Sequence, residues 1–394
     1  MSASSQPEPA ILRARAYART HHLPSPSLLI DLPTVAANYR ALSTAFPGAG
    51  ILYAVKANAA PEVISTLFDL GSGFDVASIG EVERCLARGV PGRFLSYSNP
   101  VKKAADIAAA YRLGVRTFAF DNPRDLAHIA RWAPRSNVFC RIAVEPPDAV
   151  MPFGGKFGCD PDAAAQLLAD AAANGLRPLG LTWHVGSQQC NPDAWDVGIA
   201  AAAKIALQLE PVGVKLPMIN LGGGLPISYN PSPAFGNRPL IEVFGEAVNF
   251  SVNRHFGSRN RPRLLLEPGR AMVGAAGIIR SEVVTVREGR AADHRRWVFL
   301  DVGRYNGLVE TEREAIAYRL RTPGVTGPTA PVVLAGPTSD GDDVIYQRVQ
   351  YELPLALAPG DVVEILDAGA YTSSYSCAAV NGLPALPTFC VEER

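Results

Sequence analysis

From residue 51 onward, short apolar and β-branched runs alternate with Ala-rich stretches whose apolar positions recur at helical spacing. The runs at 51–55, 73–77, 93–97, 116–120, 137–143, 179–184, 217–221 and 263–267 read as buried strands, since each is short and nearly unbroken in apolar character. Helical patterns lie between them at 60–70, 79–88, 101–113, 123–132, 160–174, 192–208 and 238–254. A further helix pattern, from Pro33 to Phe46, opens on a proline ahead of the first strand. This count predicts a (β/α)8 TIM-like barrel. A doubly wound open sheet is the alternative, but no GxGxxG turn follows the first strand.

After about residue 275 the texture changes, and helical periodicity nearly vanishes. Ile278 to Val286, Trp297 to Val302, Pro331 to Leu334, Val344 to Leu353 and Asp361 to Leu366 read as strands joined by Gly and Pro turns. The pattern therefore predicts a barrel domain over 27–275 and an all-β domain over 276–394, with a contribution from residues 1–30. The residues before 27 are polar and Pro-rich and read as a tail, followed by a short strand at Leu28 to Asp31. Arg287 to Arg296 reads as a charged, solvated loop.

Composition adds exclusions. The 394 residues carry 37 basic and 37 acidic side chains, which gives no pull toward nucleic acid or an anionic membrane. No apolar run is long enough to span a bilayer. The first residues lack a basic segment followed by an apolar one, so no secretory leader and a cytoplasmic location are expected. Six scattered cysteines without a CxxC pair fit reduced thiols better than a disulfide frame or a zinc site.

Polar groups gather where the strands end, the place where barrel enzymes collect their chemistry. Lys56 closes the first barrel strand. A lysine there either reaches out to solvent along its own stem or is employed chemically, as in imine formation with a carbonyl compound. Gly222, Gly223 and Gly224 follow the seventh strand, where backbone N–H groups can approach a phosphate without Cβ interference; a plain tight turn is the alternative. Glu267 ends the eighth strand, followed by Gly269 and Arg270, and a carboxylate there either serves a cofactor ring nitrogen or pairs with the arginine. His184 and Ser187 end the sixth strand. No second histidine stands at ligand spacing, so no metal is expected. In the second domain, Gly336 to Asp343 is dense in carboxylates, suited to an ammonium group or simply an acidic turn.

Taken together, the chain from about 27 to 392 resembles the pyridoxal-phosphate-dependent ornithine/lysine/arginine/diaminopimelate decarboxylases of the alanine-racemase-like fold. The likeness rests on motifs in family order. These are Tyr53-Ala54-Val55-Lys56-Ala57-Asn58, Phe74-Asp75-Val76-Ala77-Ser78, His184-Val185-Gly186-Ser187-Gln188, the glycine triplet, Glu267-Pro268-Gly269-Arg270, Gly336-Pro337-Thr338-Ser339-Asp340 and Gly369-Ala370-Tyr371-Thr372. The stretch from Asp301 to Ile316 resembles the bacterial ornithine/lysine branch.

The resemblance implies pyridoxal 5'-phosphate as cofactor and a homodimer with shared active sites. Lys56 would link to the cofactor aldehyde, Glu267 would bind the pyridine nitrogen, and His184 would stack on the ring. Ser187, Gly222 to Gly224, Gly269, Arg270 and Tyr371 would hold the phosphate. Asp75 and Arg141 would support the ring and lysine, helped by Glu81. Asp340, from the other subunit, with Glu310, Glu314 and Tyr371, would meet the substrate. The implied activity is decarboxylation of L-ornithine, L-lysine or a close derivative to CO2 and an amine.

Two departures stand out. Ser339 replaces the usual cysteine, the expected acid that returns a proton to Cα, and a hydroxyl is a much poorer acid than a thiol. Val380, with Leu383 nearby, stands where phenylalanines are usual and implies a roomier pocket. Ser339 thus raises a second outcome, decarboxylation followed by oxidative deamination or transamination to an aldehyde. A non-catalytic regulatory homologue is the remaining alternative, opposed by the retained Lys56, glycine triplet and Glu267; a racemase is opposed by the Gly336–Asp340 stretch.

Overall fold

A computed structural model describes residues 9–229, 238–257, 261–289 and 295–393. Two compact units divide the chain: Asn38–Ile227 with Ser232–Ala271, and Met1–Ala37 with Ser228–Pro231 and Met272–Arg394.

The chain begins with α1 (Pro9–Thr20), β1 (Ser27–Asp31) and α2 (Leu32–Ala45). α1 corrects the expectation of a tail before residue 27. Its polar composition hides a short apolar stripe, in which Ile11 and Ala14 pack with Leu29, Ile278, Leu366 and Val391. A helix this short is marginal alone and forms because that apolar surface exists elsewhere in the chain. Ion pairs to buried carboxylates fasten it, Arg13 to Asp31 at 2.7 Å and Arg15 to Glu364 at 2.6 Å.

The barrel unit runs through β2 (Gly50–Ala54), α3 (Pro61–Asp69), β3 (Gly73–Val76), α4 (Ile79–Ala87), β4 (Leu95–Tyr97), α5 (Ala104–Arg112), β5 (Thr117–Phe120), α6 (Pro123–Trp132) and β6 (Asn137–Arg141). It continues with β7 (Ala149–Met151), α7 (Pro161–Ala173), β8 (Arg177–Thr182), β9 (Ser187–Gln189), α8 (Asp196–Leu209), β10 (Met218–Asn220), α9 (Leu240–Phe256) and β11 (Arg263–Leu266). Strands β2, β3, β4, β5, β6, β8, β10 and β11 close into a parallel barrel, β11 returning to β2 with Leu266 opposite Ile51. These are the eight strands expected from the apolar runs. Prolines at the first turn of α3, α6 and α7 and side-chain caps from Ser78, Asn122 and Asp160 fix where α3, α4, α6 and α7 begin. The unexpected element is the antiparallel β7–β9 ribbon, whose three-residue strands are too short to show a period.

The second unit is a mixed sheet. It holds β12 (Gly277–Arg287), β13 (Arg296–Leu300), β14 (Leu320–Arg321), β15 (Thr329–Ala335), β16 (Val344–Pro354), β17 (Val362–Leu366) and β18 (Thr388–Val391). The order is β14-β17-β12-β13-β15-β16, and β1 pairs antiparallel with β12 and parallel with β18. Of the charged 287–296 loop, residues 290–294 lie outside the described residues. No described helix is long and apolar enough to cross a membrane.

Ile11→Ala is expected to lower stability by about 2–5 kcal/mol in urea unfolding, because Ile11 is 2% exposed and its removal leaves a cavity. An unchanged midpoint would mean that α1 does not dock.

Candidate active site

Each barrel strand delivers its last side chain to the same rim, so residues far apart in sequence meet there. Just after β2, Lys56 Nζ donates to Asp75 Oδ2 of β3 at 2.7 Å, and Asp75 is buried. After β11, Glu267 is buried, and its Oε1 accepts from Ser98 Oγ at 2.8 Å and from Asn220 Nδ2 at 2.6 Å. Both bonds fall on Oε1, and among the described residues no donor reaches Oε2 by a side-chain bond. Burial pushes the Glu267 carboxyl up to about 7, with Asp75 adding to the rise; Lys56 and the two donors oppose it.

Arg141, at the end of β6, lies within the field of Glu267 and Asp75 and stacks over Phe157 at 4.6 Å. Burial lowers its guanidinium from its usual range, and the carboxylates resist that. His184 follows β8. Its Nδ1 accepts from Gly186 N–H at 3.0 Å, which puts the proton of the neutral ring on Nε2. Burial first, then Arg141 and Lys56, hold its pKa well below 6.5, so the ring is neutral. Phe153 covers the ring at 4.3 Å.

The glycine triplet follows β10. A Cβ at Gly222 would collide with the Trp183 carbonyl, and one at Gly223 would lie 2.8 Å from the Glu267 carbonyl and 3.0 Å from His184 Nε2. Gly222 N–H is held by Asn220 Oδ1 at 3.0 Å, whereas no described acceptor meets the amides of Gly223 or Gly224. Arg270 Nη2 donates to Ser187 Oγ at 3.0 Å. Gly269 is buried between Glu267 and Arg270 in the chain.

The barrel thus brings together Lys56, Asp75, Arg141, His184, Ser187, Gly222 to Gly224, Glu267, Gly269 and Arg270. Two site residues have no role in the sequence reading, Ser98 and Asn220. Ser98 directly follows β4 and Asn220 ends β10, and that position was the available signal. Ser78 caps α4 by accepting from Glu81 N–H at 3.3 Å, and the Glu81 carboxylate accepts from Ala77 N–H at 2.7 Å, so it anchors the loop after Asp75.

The remaining expected residues lie in the second unit. Ser339 and Asp340 are exposed, and Ser339 N–H and its hydroxyl meet Asn381 Oδ1 at 3.0 and 3.4 Å. Asp343 organises that turn, accepting from Thr338 and Arg304. Glu310 is buried. Glu314 Oε1 accepts from the backbone N–H groups of Gln347 and Arg348 at 2.9 and 2.8 Å, so its carboxylate is engaged in holding β16. Tyr371 takes a left-handed φ of 57° and stacks with Tyr375.

Residues 32–274 match the family described as pyridoxal-dependent decarboxylase, pyridoxal binding domain. The chain belongs to the pyridoxal-dependent decarboxylases. It is 34% identical over 373 residues to the lysine/ornithine decarboxylase of Selenomonas ruminantium, covering 94% of this chain and 91% of that one. Among solved structures, SrLDC in complex with PLP and cadaverine aligns with a TM-score of 0.84, 32% identity, and coverage of 99% of this chain and 95% of that one. The lysine/ornithine decarboxylase of Vibrio vulnificus with cadaverine aligns at a TM-score of 0.85, 29% identity, and coverage of 97% and 98%. The protein is a PLP-dependent amino-acid decarboxylase with the alanine-racemase-like fold, and pyridoxal 5'-phosphate is its cofactor.

The decarboxylase's rim fits that cofactor. A buried carboxylate with only neutral direct donors suits a ring N–H, two backbone amides on a Cβ-free loop suit a phosphate, and a lysine at the rim suits an aldehyde.

The pH dependence follows from Glu267. Its folded pKa lies above the unfolded value of 4.5, so it stabilises the cofactor-free fold when protonated, and that contribution disappears as pH rises through 7. Cofactor-free wild type is expected to lose stability relative to Glu267→Gln between pH 5 and 8, on the order of 1–3 kcal/mol. Parallel pH–stability curves would mean that the carboxyl is not desolvated.

Proposed function

We propose that the enzyme decarboxylates a basic amino acid, L-lysine, L-ornithine or a close derivative, releasing CO2 and the corresponding diamine. The observation that carries this reading is the Lys56–Asp75 pair standing at the same rim as the Glu267 cluster and the glycine triplet. The relatives named as lysine/ornithine decarboxylases support a basic substrate.

In this reading Lys56 holds the cofactor covalently through its amine, and Asp75 orients that amine. Gly223, Gly224, Ser187 and Arg270, with Gly222, Gly269 and Tyr371, hold the phosphate. Glu267, steadied by Ser98 and Asn220, keeps the ring nitrogen protonated, and neutral His184 packs on the ring beside Arg141. When bound, the cofactor supplies an electron sink for the pair left at Cα as CO2 departs.

A second copy of the chain completes each site. Exposed Asp340 binds the distal ammonium of the substrate in the other copy's site, and Ser339, oriented by Asn381, donates the returning proton. Glu310, buried in the second unit, stands on the substrate side in this reading, and Glu314 holds backbone N–H groups of β16. The aldehyde-forming outcome draws no support from the relatives, which are named as decarboxylases.

With L-lysine or L-ornithine, holoenzyme is expected to release CO2 and diamine in equal amounts, with one deuterium per diamine in D2O; no CO2 from either would sink the basic-substrate reading. Lys56→Ala is expected to lower turnover about a thousandfold. Mixing Lys56→Ala with Asp340→Ala subunits is expected to restore about a quarter of wild-type activity, since a symmetric heterodimer keeps one intact site. No recovery on mixing would place Asp340 within its own subunit's site.

A further inference from the structure

Cys140 lies on β6 one residue before Arg141, and its Sγ is 3.6 Å from Cys159 Sγ. Cys159 sits at the far end of the segment that carries Phe153 and Phe157 past His184 and Arg141. Its backbone is already fixed to the strand end: Cys159 N–H donates to Arg141 O at 2.9 Å, and Ala143 N–H donates to Cys159 O at 2.9 Å. Asp121 secures the same segment by accepting from Gly158 N–H at 3.0 Å. Gly158 leaves no space for a Cβ against Ile142 and Ala143, so the approach of the two strands is tight. Cys140 is buried, while Cys159 is partly open to solvent.

We propose that Cys140 and Cys159 form a peroxide-sensitive dithiol that closes to a disulfide and locks the 142–158 wall of the active site. The geometry needs only a small side-chain adjustment, because the sulfurs already touch and both backbones are held in register. The partly open Cys159 is the entry point. Its thiol is pulled below its usual range by the Cys140 hydrogen bond, although burial and Asp121 oppose this. The Cys159 thiolate attacks hydrogen peroxide, the O–O bond breaks, and sulfenic acid and hydroxide form. Cys140 sulfur then attacks the sulfenic sulfur; its proton leaves with the departing oxygen as water. Two thiols and one peroxide become one disulfide and two waters. Closure draws the sulfurs together and displaces the end of β6, on which Arg141 stands beside Glu267 and Asp75.

The test uses holoenzyme, hydrogen peroxide and peptide mapping after alkylation without reduction. The expected result is a single cross-linked peptide pair joining Cys140 to Cys159, two fewer titratable thiols, and a several-fold fall in decarboxylation that dithiothreitol reverses. Cys159→Ser and Cys140→Ala are expected to keep their activity through the same treatment. Two free thiols at these positions after oxidation, or oxidation confined to the exposed Cys190 and Cys377, would overturn the proposal. So would a disulfide without loss of rate, or a loss of rate that persists in Cys159→Ser. The peptide map reads the bond without reference to the substrate, so its failure is distinct from failure of the basic-substrate reading.

Discussion

A carboxylate removed from water at the rim of a barrel must be offset, and Glu267 sets that demand for the whole site. Its direct partners, Ser98 and Asn220, are neutral, and Lys56 is committed to Asp75. The carboxyl therefore stays protonated to higher pH than an exposed one. In the proposed reading a cationic ring nitrogen would relieve this cost, and the carboxylate would in turn favour the protonated ring.

The other groups follow from keeping that interaction in place. Asn220 bridges two duties: its amide holds Glu267, and its carbonyl oxygen takes Gly222 N–H, so Glu267 and the glycine loop are fixed by one side chain. Glu267 N–H in turn donates to Gly222 O at 2.8 Å. The glycine triplet packs against Trp183, His184 and Gly186, leaving no room for side chains. His184 stays neutral because it is buried, and Arg141 and Lys56 nearby add to the effect. A protonated imidazole would add charge where the site already carries two cations.

The second unit is organised by a different kind of constraint. Three of its buried carboxylates are paired with arginines: Asp31 with Arg13, Glu364 with Arg15 and Arg280, Asp367 with Arg319. Removing water from such groups is tolerable only with near-ideal partners. The exposed turn at Ser339 and Asp340 is in contrast shaped from within by Asp343 and Asn381.

Local sequence was enough for the barrel, since parallel strands buried on both faces leave unbroken apolar runs and the helices between them carry their own caps and prolines. It was also enough to place Lys56, His184, the glycines and Glu267 at strand ends, because closing the barrel puts every strand end on one rim. What the chain alone did not reveal are facts about pairs distant in sequence. α1 looked like a tail because its stripe is short and its partners Leu29, Ile278, Leu366 and Val391 come from distant strands. Ser98 and Asn220 are ordinary polar residues until the fold brings both to one oxygen of Glu267. The hold of Glu314 on the backbone of β16 is likewise a pairing that no local pattern announces. The contact of Cys140 with Cys159 has no spacing signature either. Periodicity records which face of an element is buried; only the packed chain decides what that face, or a polar group beside it, meets.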